Sequence, residues 1–205
     1  LVAPTPAHRF RWRGFCIGDR LPDGADMSTL AVIPARLGAT RLPRKPLRLL
    51  GGAPLVVRVL ERVQALGLAD RVVVATETEE VAEVVAQAGG EALITSAAHP
   101  SGTDRVAEVA RHPDFLRHDI IVNVQGDEPF MRGDAMAGAI AMVRDHGFDL
   151  GTAAGKRTAA IMDDPNCVKV VRDDSGRAMY FSRAPIPFLR DTADAATRDA
   201  LVFQH

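Results

Sequence analysis

Apolar residues along the chain occur either in short continuous runs or at intervals of three and four residues, which predicts strands and helices respectively. The first run, residues 30–33, is uninterrupted, as in a strand buried on both faces of a parallel sheet. From Pro54 the apolar positions recur on one helical face as far as Leu66, and Gly67 ends the pattern. This segment predicts an amphipathic helix with proline in its first turn.

The same alternation continues to about residue 146. It predicts strands at 71–75, 91–95 and 119–124, and helices at 79–88, about 104–111 and about 133–146. Strands joined through helices imply right-handed crossovers. The predicted fold class is therefore α/β, with a mostly parallel, doubly wound sheet and helices on both of its faces.

The pattern changes after residue 150. Residues 168–171 and 178–181 are predicted strands, and the polar residues 173–176 between them predict a hairpin turn. We expect this part of the chain to bind the acceptor substrate of any reaction that the parallel sheet supports.

Length and composition favour one domain of ordinary size, since the chain has 205 residues, 47% of them hydrophobic and 25% charged. Residues 1–27 do not fit that domain, because Arg, Gly, Asp and Pro interrupt every apolar run there and exclude a secretory signal. We predict that residues 1–27 are a disordered N-terminal extension outside the fold, and that the domain occupies residues 28–205.

Charge and cysteine content exclude several classes of partner. The 25 basic and 26 acidic residues nearly cancel, which argues against nucleic acid binding. Apolar runs stay well below the roughly 20 residues needed to span a bilayer, so no membrane partner is predicted. Cys16 and Cys167 lie far apart and form no zinc or CxxC pattern, which favours a reduced, cytoplasmic setting.

Ligands of an open parallel sheet bind beyond the carboxyl ends of its strands, here in the loops after residues 33, 75, 95 and 124. The first loop carries Arg36, Arg41 and Lys45, and three cations on one loop favour a triphosphate site over a merely solvated basic loop. The loop contains neither GxxxxGK[ST] nor GxGxxG, so ATPase and dehydrogenase functions lose their main support.

The other two polar loops each allow two interpretations. Asp127 and Glu128, after residue 124, could hold a divalent cation against phosphate oxygens, or could form an acidic turn that caps the next helix. In the loop after residue 95, Ser101 and its neighbours could contact a base, whereas Thr103 or Asp104 could cap a helix. The two interpretations of that loop are compatible.

Five segments together, VIPARLGATRLPRKPL, VVVATETEEV, HPSGTDRVAEV, IIVNVQGDEPF and MYFSRAPIPF, resemble the 3-deoxy-manno-octulosonate (Kdo) cytidylyltransferases, the CMP-Kdo synthetases of lipopolysaccharide assembly. The resemblance runs from about residue 28 to residue 205. Its first loop is shared with acylneuraminate cytidylyltransferases, but the later motifs are typical of the Kdo enzymes. The resemblance implies a Rossmann-like, GT-A-like nucleotidyltransferase fold, in which the Kdo anomeric hydroxyl attacks the α-phosphate of CTP and pyrophosphate leaves.

The resemblance also implies roles for individual residues. Asp127 would be a ligand of the cofactor Mg²⁺ and would act in catalysis with Arg36 and Lys45. Gln125, Arg183 and His205 would contact the sugar acid, although a frayed terminal residue is the favoured interpretation of His205. The nucleotide would be bound by Pro34, Ala35, Arg36, Arg41, Lys45, Ser101, Gly102, Arg105 and Gln125.

Family members continue beyond the equivalent of His205, with a dimerisation segment and a second aspartate that completes the magnesium site. We therefore predict that the chain lacks the C-terminal part of the family domain, and we expect a homodimer for the full-length family. Two alternatives stay open: an enzyme that activates an acylneuraminate, and a non-catalytic nucleotide-binding fragment. A regulatory or scaffold role ranks last, because no heptad or charge run favours it.

Overall fold

A computed structural model of the chain describes residues 2–4, 27–38, 42–188, 199 and 202–205. The chain forms two compact units, Leu1–Gly151 and Thr152–His205, where length alone favoured one domain. Their boundary coincides with the predicted change of pattern after residue 150. Within the described ranges, no helix is long and apolar enough to cross a bilayer.

The first unit contains the predicted alternation of strands and helices. Short 3-10 turns lie at Lys45–Leu47 and Pro113–Phe115. The strands are β1 (Val2–Pro4), β2 (Thr29–Ala35), β3 (Leu49–Leu50), β4 (Ala53–Pro54), β5 (Arg71–Thr76), β6 (Glu91–Ile94) and β7 (Ile120–Asn123). The helices are α1 (Leu55–Leu66), α2 (Glu79–Gln87), α3 (Gly102–Arg111) and α4 (Gly133–Arg144).

Among the described residues, the main sheet has five strands in the order β1-β7-β2-β5-β6. Strand β2 pairs in parallel with both β5 and β7, and β5 pairs in parallel with β6. The chain steps outward from β2 to β5 and β6 and then returns to the other side of β2 as β7. The order of the strands therefore reverses between β2 and β7, which is where the loops of an open sheet separate and leave a crevice.

Strand β2 lies at the centre of the core. Its alternate side chains point to opposite faces of the sheet. Ala31 and Ile33 pack in a cluster with residues of α1, α2 and α4, whereas Leu30 and Val32 pack with α3 and Phe115 on the other face. Burial on both faces explains the continuous apolar run of this strand. The predicted α/β class with helices on both faces is confirmed.

Strand β1 departs from the prediction that residues 1–27 lie outside the fold. Residues Val2–Pro4 pair antiparallel with β7, with Val2 opposite Val122 and Pro4 opposite Ile120. An edge strand presents unpaired backbone groups to which another extended segment can add. Residues 5–26 lie outside the described residues, and for them the extension stays a prediction.

The second unit contains a four-stranded sheet in the order β10-β9-β11-β8. Strands β9 and β10 form the predicted hairpin, and Asp173 Oδ1 accepts the backbone N–H groups of Ser175 and Arg177 in its turn. Both β10 and β11 run antiparallel to β9, so their carboxyl ends lie at the same end of the sheet. The strands are β8 (Gly155–Lys156), β9 (Lys169–Arg172), β10 (Ala178–Ser182) and β11 (Phe203–Gln204).

Candidate active site

A cleft with a volume of about 330 Å³ opens in the first unit at the switch point between β2 and β7. Three segments converge on it: the cationic loop after β2, the first turn of α3 and the loop after β7. Pro46 and Gly126, which the sequence did not single out, also line it. The lining contains these predicted site residues: Pro34, Ala35, Arg36, Lys45, Gly102, Arg105, Gln125 and Asp127.

Two predicted nucleotide-binding residues are not among those that line the cleft. Arg41 lies outside the described residues. Ser101 is the N-cap of α3: its backbone is extended, and its Oγ accepts the backbone N–H of Asp104 at 3.2 Å. The prediction of Thr103 or Asp104 as the cap is therefore wrong, because the extended backbone that a cap requires occurs at Ser101.

The loop after β7 approaches the end of β2 so closely that a side chain cannot fit between them. A Cβ atom on Gly126 would lie 2.4 Å from the carbonyl oxygen of Pro34. A Cβ on Gly102 would lie 3.4 Å from Cγ of the same proline. Glycine at position 126 thus permits the close contact that brings the acidic loop beside the cationic loop.

The charges of the two loops meet in an ion pair between Lys45 Nζ and an Asp127 carboxylate oxygen. The Lys45 side chain is 35% exposed and that of Asp127 is 49% exposed. Ion pairs this exposed stabilise a fold by at most about 1 kcal/mol. The pair therefore contributes little to folding, and both groups are accessible to a ligand in the cleft.

A buried polar network lies beneath the cleft. Arg105, with a side chain only 3% exposed, donates from Nη1 to Thr95 Oγ1, and its Nη2 lies 2.9 Å from Glu77 Oε2. Among the described atoms, no donor forms a hydrogen bond of good geometry with Glu77 Oε2. The contact of this oxygen with Arg105 is therefore an ion pair without a hydrogen bond. Glu77 Oε1 accepts the backbone N–H of Leu37 at 2.9 Å. This network connects α3 to the cationic loop.

Glu77 was not predicted as a site residue. It follows β5 directly, in the loop after residue 75, the only one of the four strand-end loops that yielded no candidate. A carboxylate at the carboxyl end of a parallel strand was the available signal. That signal was weak because Glu77 stands in a run of acidic residues that begins α2, where carboxylates also favour the helix N-terminus.

Glu108 of α3 anchors the loop that precedes this helix. Its Oε2 accepts the backbone N–H of Ser96 at 3.0 Å and contacts Nε2 of His99. The hydrogen bond with His99 holds the pKa of Glu108 below its ordinary value. The carboxylate is therefore ionised at neutral pH and holds the loop against the helix.

In the second unit, Arg183 directly follows β10 and is held at both its backbone and its side chain. Its Nη1 donates to the carbonyl oxygens of residues 165 and 166, at 2.8 and 3.2 Å. Lys169 is fully buried, and its Nζ donates to the Arg183 carbonyl at 2.5 Å and to two carbonyls of the 164–167 segment at 2.9 Å. The exposed guanidinium of Arg183 is thus fixed on a rigid support.

His205 directly follows β11. Its backbone N–H donates to Val168 O at 2.9 Å, and its ring packs edge-on against Phe181 with centroids 5.2 Å apart. The interpretation of His205 as a frayed residue is wrong, because strand pairing extends to its backbone. Burial lowers the pKa of His205, so the ring is neutral at pH 7. Because β10 and β11 end at the same edge, Arg183 and His205 lie at one end of this sheet.

The donors at the cleft fit Mg²⁺ in the way that nucleotide enzymes use it. Within the part of the chain that the structure describes, no group of three or more His, Cys, Asp or Glu side chains could enclose a metal. Mg²⁺ is usually held by one or two carboxylates together with substrate phosphates and water. Asp127 supplies such a carboxylate at a cleft that also carries cations for phosphate.

A doubly wound sheet whose switch-point cleft joins a cationic loop to a strand-end carboxylate is the arrangement of a nucleotidyltransferase. Residues 30–203 match the model of a family described as Cytidylyltransferase. The chain belongs to this family, in the branch of the 3-deoxy-manno-octulosonate cytidylyltransferases, as its sequence relatives establish.

Two relatives carry that name. The protein from Gemmatimonas aurantiaca is 58% identical over 179 residues, an alignment that covers 87% of this chain and 69% of the relative. The protein from Yersinia pseudotuberculosis is 47% identical over 173 residues, covering 80% of this chain and 66% of the relative. The chain thus spans about two thirds of the length of these curated relatives.

Solved structures agree. A CMP:2-keto-3-deoxy-manno-octonic acid synthetase complexed with CTP is 36% identical, with a TM-score of 0.74, and the match covers 87% of this chain and 71% of that one. A 4-diphosphocytidyl-2C-methyl-D-erythritol synthase is 17% identical with a TM-score of 0.50, covering 76% of this chain and 68% of that one, and shares the fold alone.

Proposed function

We propose that this chain transfers CMP from CTP to Kdo, with release of CMP-Kdo and pyrophosphate, in the cytoplasm and as a step of lipopolysaccharide biosynthesis. The observation that carries the proposal is the convergence of Arg36, Lys45 and Asp127 on one cleft at the switch point of the sheet. Names of relatives at 47% and 58% identity support Kdo over an acylneuraminate as the acceptor.

In this proposal the cationic loop binds the triphosphate. Arg36 and Lys45 line the cleft and supply charge-assisted donors to phosphate oxygens. Arg41, which stands between them in the sequence, is proposed as a third such donor. When nucleotide enters, Lys45 exchanges its exposed contact with Asp127 for a phosphate oxygen. Pro34, Ala35, Gly102 and Gln125 shape the pocket around the nucleotide, with Ser101 at its margin and Arg105 in its wall.

Asp127 would hold the Mg²⁺, which when bound neutralises charge on the phosphate oxygens of CTP. The protein's own contribution is to hold the α-phosphate in line with the attacking anomeric hydroxyl while pyrophosphate departs. Such positioning relies on the close contact of the loop after β7 with Pro34 at the end of β2, which Gly126 permits.

We assign the sugar acid to Arg183 and His205 of the second unit. One guanidinium nitrogen of Arg183 is committed to backbone carbonyls, which orients the Nε and Nη2 donors as a fork for a carboxylate. The neutral ring of His205 suits a hydroxyl rather than a second carboxylate. For the full-length protein we propose a homodimer.

The test is pyrophosphate release from CTP and Mg²⁺ with Kdo, run in parallel with N-acetylneuraminate, on this chain and on a version extended to the length of its relatives. Release with Kdo alone from either protein is the expected result. Release with N-acetylneuraminate alone would reassign the acceptor. If neither folded protein releases pyrophosphate with either sugar, the proposal is wrong and a non-catalytic nucleotide-binding fragment is favoured.

A further inference from the structure

Glu77 fixes the base of the cationic loop through a backbone contact. Its side chain is 15% exposed, and Oε1 accepts the N–H of Leu37, the residue that follows Arg36. The Leu37 carbonyl in turn accepts the N–H of Arg44 at 3.3 Å, which closes the loop immediately before Lys45. Both ends of the segment that carries the phosphate-directed cations therefore depend on the position of Leu37.

The other end of Glu77 is anchored in the sheet. Its Oε2 pairs with Arg105, whose Nη1 donates to Thr95 Oγ1, and that hydroxyl donates to the carbonyl of Thr76 at 3.0 Å. Thr76 ends β5, and Thr95 follows β6. Since each link contacts a rigid element, the carboxylate of Glu77 cannot move far without breaking a buried contact.

A carboxylate beside a triphosphate site would oppose binding unless its charge were neutralised. Arg105 provides that neutralisation, because its guanidinium lies 2.9 Å from Glu77 Oε2 and is shielded from solvent. The pair can therefore hold the loop without adding a free negative charge to the cleft. Replacing one member would leave the other buried and unpaired, which is costly.

We propose that Glu77 is a positioning residue for nucleotide binding: it clamps the Leu37 N–H so that Arg36 and Lys45 face the phosphates. The inference rests on the proposed function in assuming that CTP is the ligand of the cleft. Glu77 is not among the residues that line the cleft within the described ranges, so it acts through the loop and not on the nucleotide.

The experiment compares the wild-type chain with Glu77→Ala, Glu77→Gln and the control Glu83→Ala. Glu83 is an exposed residue of the neighbouring helix α2. Glutamine keeps an oxygen that can accept the Leu37 N–H, whereas alanine does not. Amide hydrogen exchange at Leu37 is measured without nucleotide, CTP affinity by calorimetry with Mg²⁺, and folding by thermal unfolding.

We expect Glu77→Ala to speed amide exchange at Leu37 and to weaken the binding of CTP by about tenfold or more, because a small misplacement of binding groups has a large effect on affinity. Glu77→Gln keeps an acceptor for the Leu37 N–H but loses the charge opposite Arg105, so it should retain more of the Leu37 protection and CTP affinity than Glu77→Ala. Glu83→Ala should match the wild type. Where turnover is measurable, Glu77→Ala should raise KM for CTP and leave KM for Kdo unchanged. A general loss of folded protein would instead lower the apparent kcat and leave the KM values of both substrates unchanged.

If amide exchange at Leu37 is unchanged in Glu77→Ala, Glu77 does not hold the Leu37 N–H and the proposal is wrong. If exchange is faster but the affinity for CTP is unchanged, Glu77 has no role in nucleotide binding. Equal losses in Glu77→Ala and Glu83→Ala also contradict the proposal. If the wild-type chain does not bind CTP at all, the proposed function fails, whereas the Leu37 exchange comparison still decides whether Glu77 holds the loop.

Discussion

Asp127 lies at the cleft, where its carboxylate can take part in the reaction while contributing little to the stability of the fold. Its side chain is 49% exposed, and its partner Lys45 is partly exposed as well. We predict that Asp127→Asn lowers pyrophosphate release by at least about 100-fold, because it removes the carboxylate charge that a catalytic cation requires. Thermal unfolding should stay near that of the wild type, since exposed ion pairs contribute at most about 1 kcal/mol.

A matched control is Asp134→Asn, because Asp134 is an exposed carboxylate paired with Arg132 outside the cleft. That variant should keep its activity. Unfolding of Asp127→Asn near room temperature, or full activity of a folded Asp127→Asn protein, would contradict the assignment.

Arg183 tests the sugar site separately from the nucleotide site. Arg183→Ala should raise KM for Kdo by roughly tenfold or more, since charge-assisted hydrogen bonds contribute about 1.5–3 kcal/mol. KM for CTP should change little. Substrate titrations of pyrophosphate release measure both constants, with the exposed Arg177→Ala of the same hairpin as control. Equal loss of affinity for both substrates would count against the assignment.

For individual residues, the sequence predicted those whose role can be inferred from their immediate neighbours in the chain. Arg36, Lys45 and Asp127 could be found because they are charged residues in the segments that follow apolar strands. The cap at Ser101 and the clamp at Glu77 could not be chosen from the same information. Each depends on a backbone conformation or a partner distant in sequence, as Glu77 does on Leu37 and Arg105.

The contact between the loop after β7 and Pro34 of β2 leads to a prediction at the level of elements. Gly126→Ala would place a Cβ 2.4 Å from Pro34 O, and backbone cannot yield as a flexible side chain does. We expect this overpacking to destabilise the first unit by about 1–3 kcal/mol in chemical denaturation, and to reduce CTP binding as the two loops separate.

Gly138→Ala is the control, because Gly138 lies within α4 and a Cβ there would meet no atom within 4 Å. Alanine in a helix interior should stabilise the protein by about 0.5–1 kcal/mol. If Gly126→Ala and Gly138→Ala had the same effect on stability, the close loop contact would not be rigid.

Helices and strands followed the sequence closely where local signals mark their ends. Helix α1 ends as predicted at Gly67, whose φ of 62° lies in the left-handed region that glycine tolerates. Strand β1 was not predicted, because Val2–Pro4 contains no pattern of its own and pairs with an edge some 120 residues away. The short strands β8 and β11 depend on distant pairing in the same way.

For the whole molecule we predict stabilisation by ligand. CTP with Mg²⁺ at 100 times its Kd should raise the unfolding free energy of the first unit by about 2.7 kcal/mol, because ligand binds the folded state alone. Chelation of Mg²⁺ by EDTA should remove most of that gain. Denaturation followed by amide exchange should show the increase in Leu1–Gly151. Equal stabilisation by GTP would contradict a cytidine-specific cleft.

The sequence by itself determined the α/β class, the alternation of elements, the position of the cationic and acidic loops, and the family. These properties rest on local periodicity and on motifs that stand in one stretch of chain. Tertiary structure decided that the loops after β2 and β7 meet at a switch point, that Gly126 permits close contact with Pro34 of β2, and that Glu77 and Arg105 support the cleft from beneath. The reason is physical: strand order and close backbone approach are set by packing between segments far apart in the chain, on which local patterns carry no information.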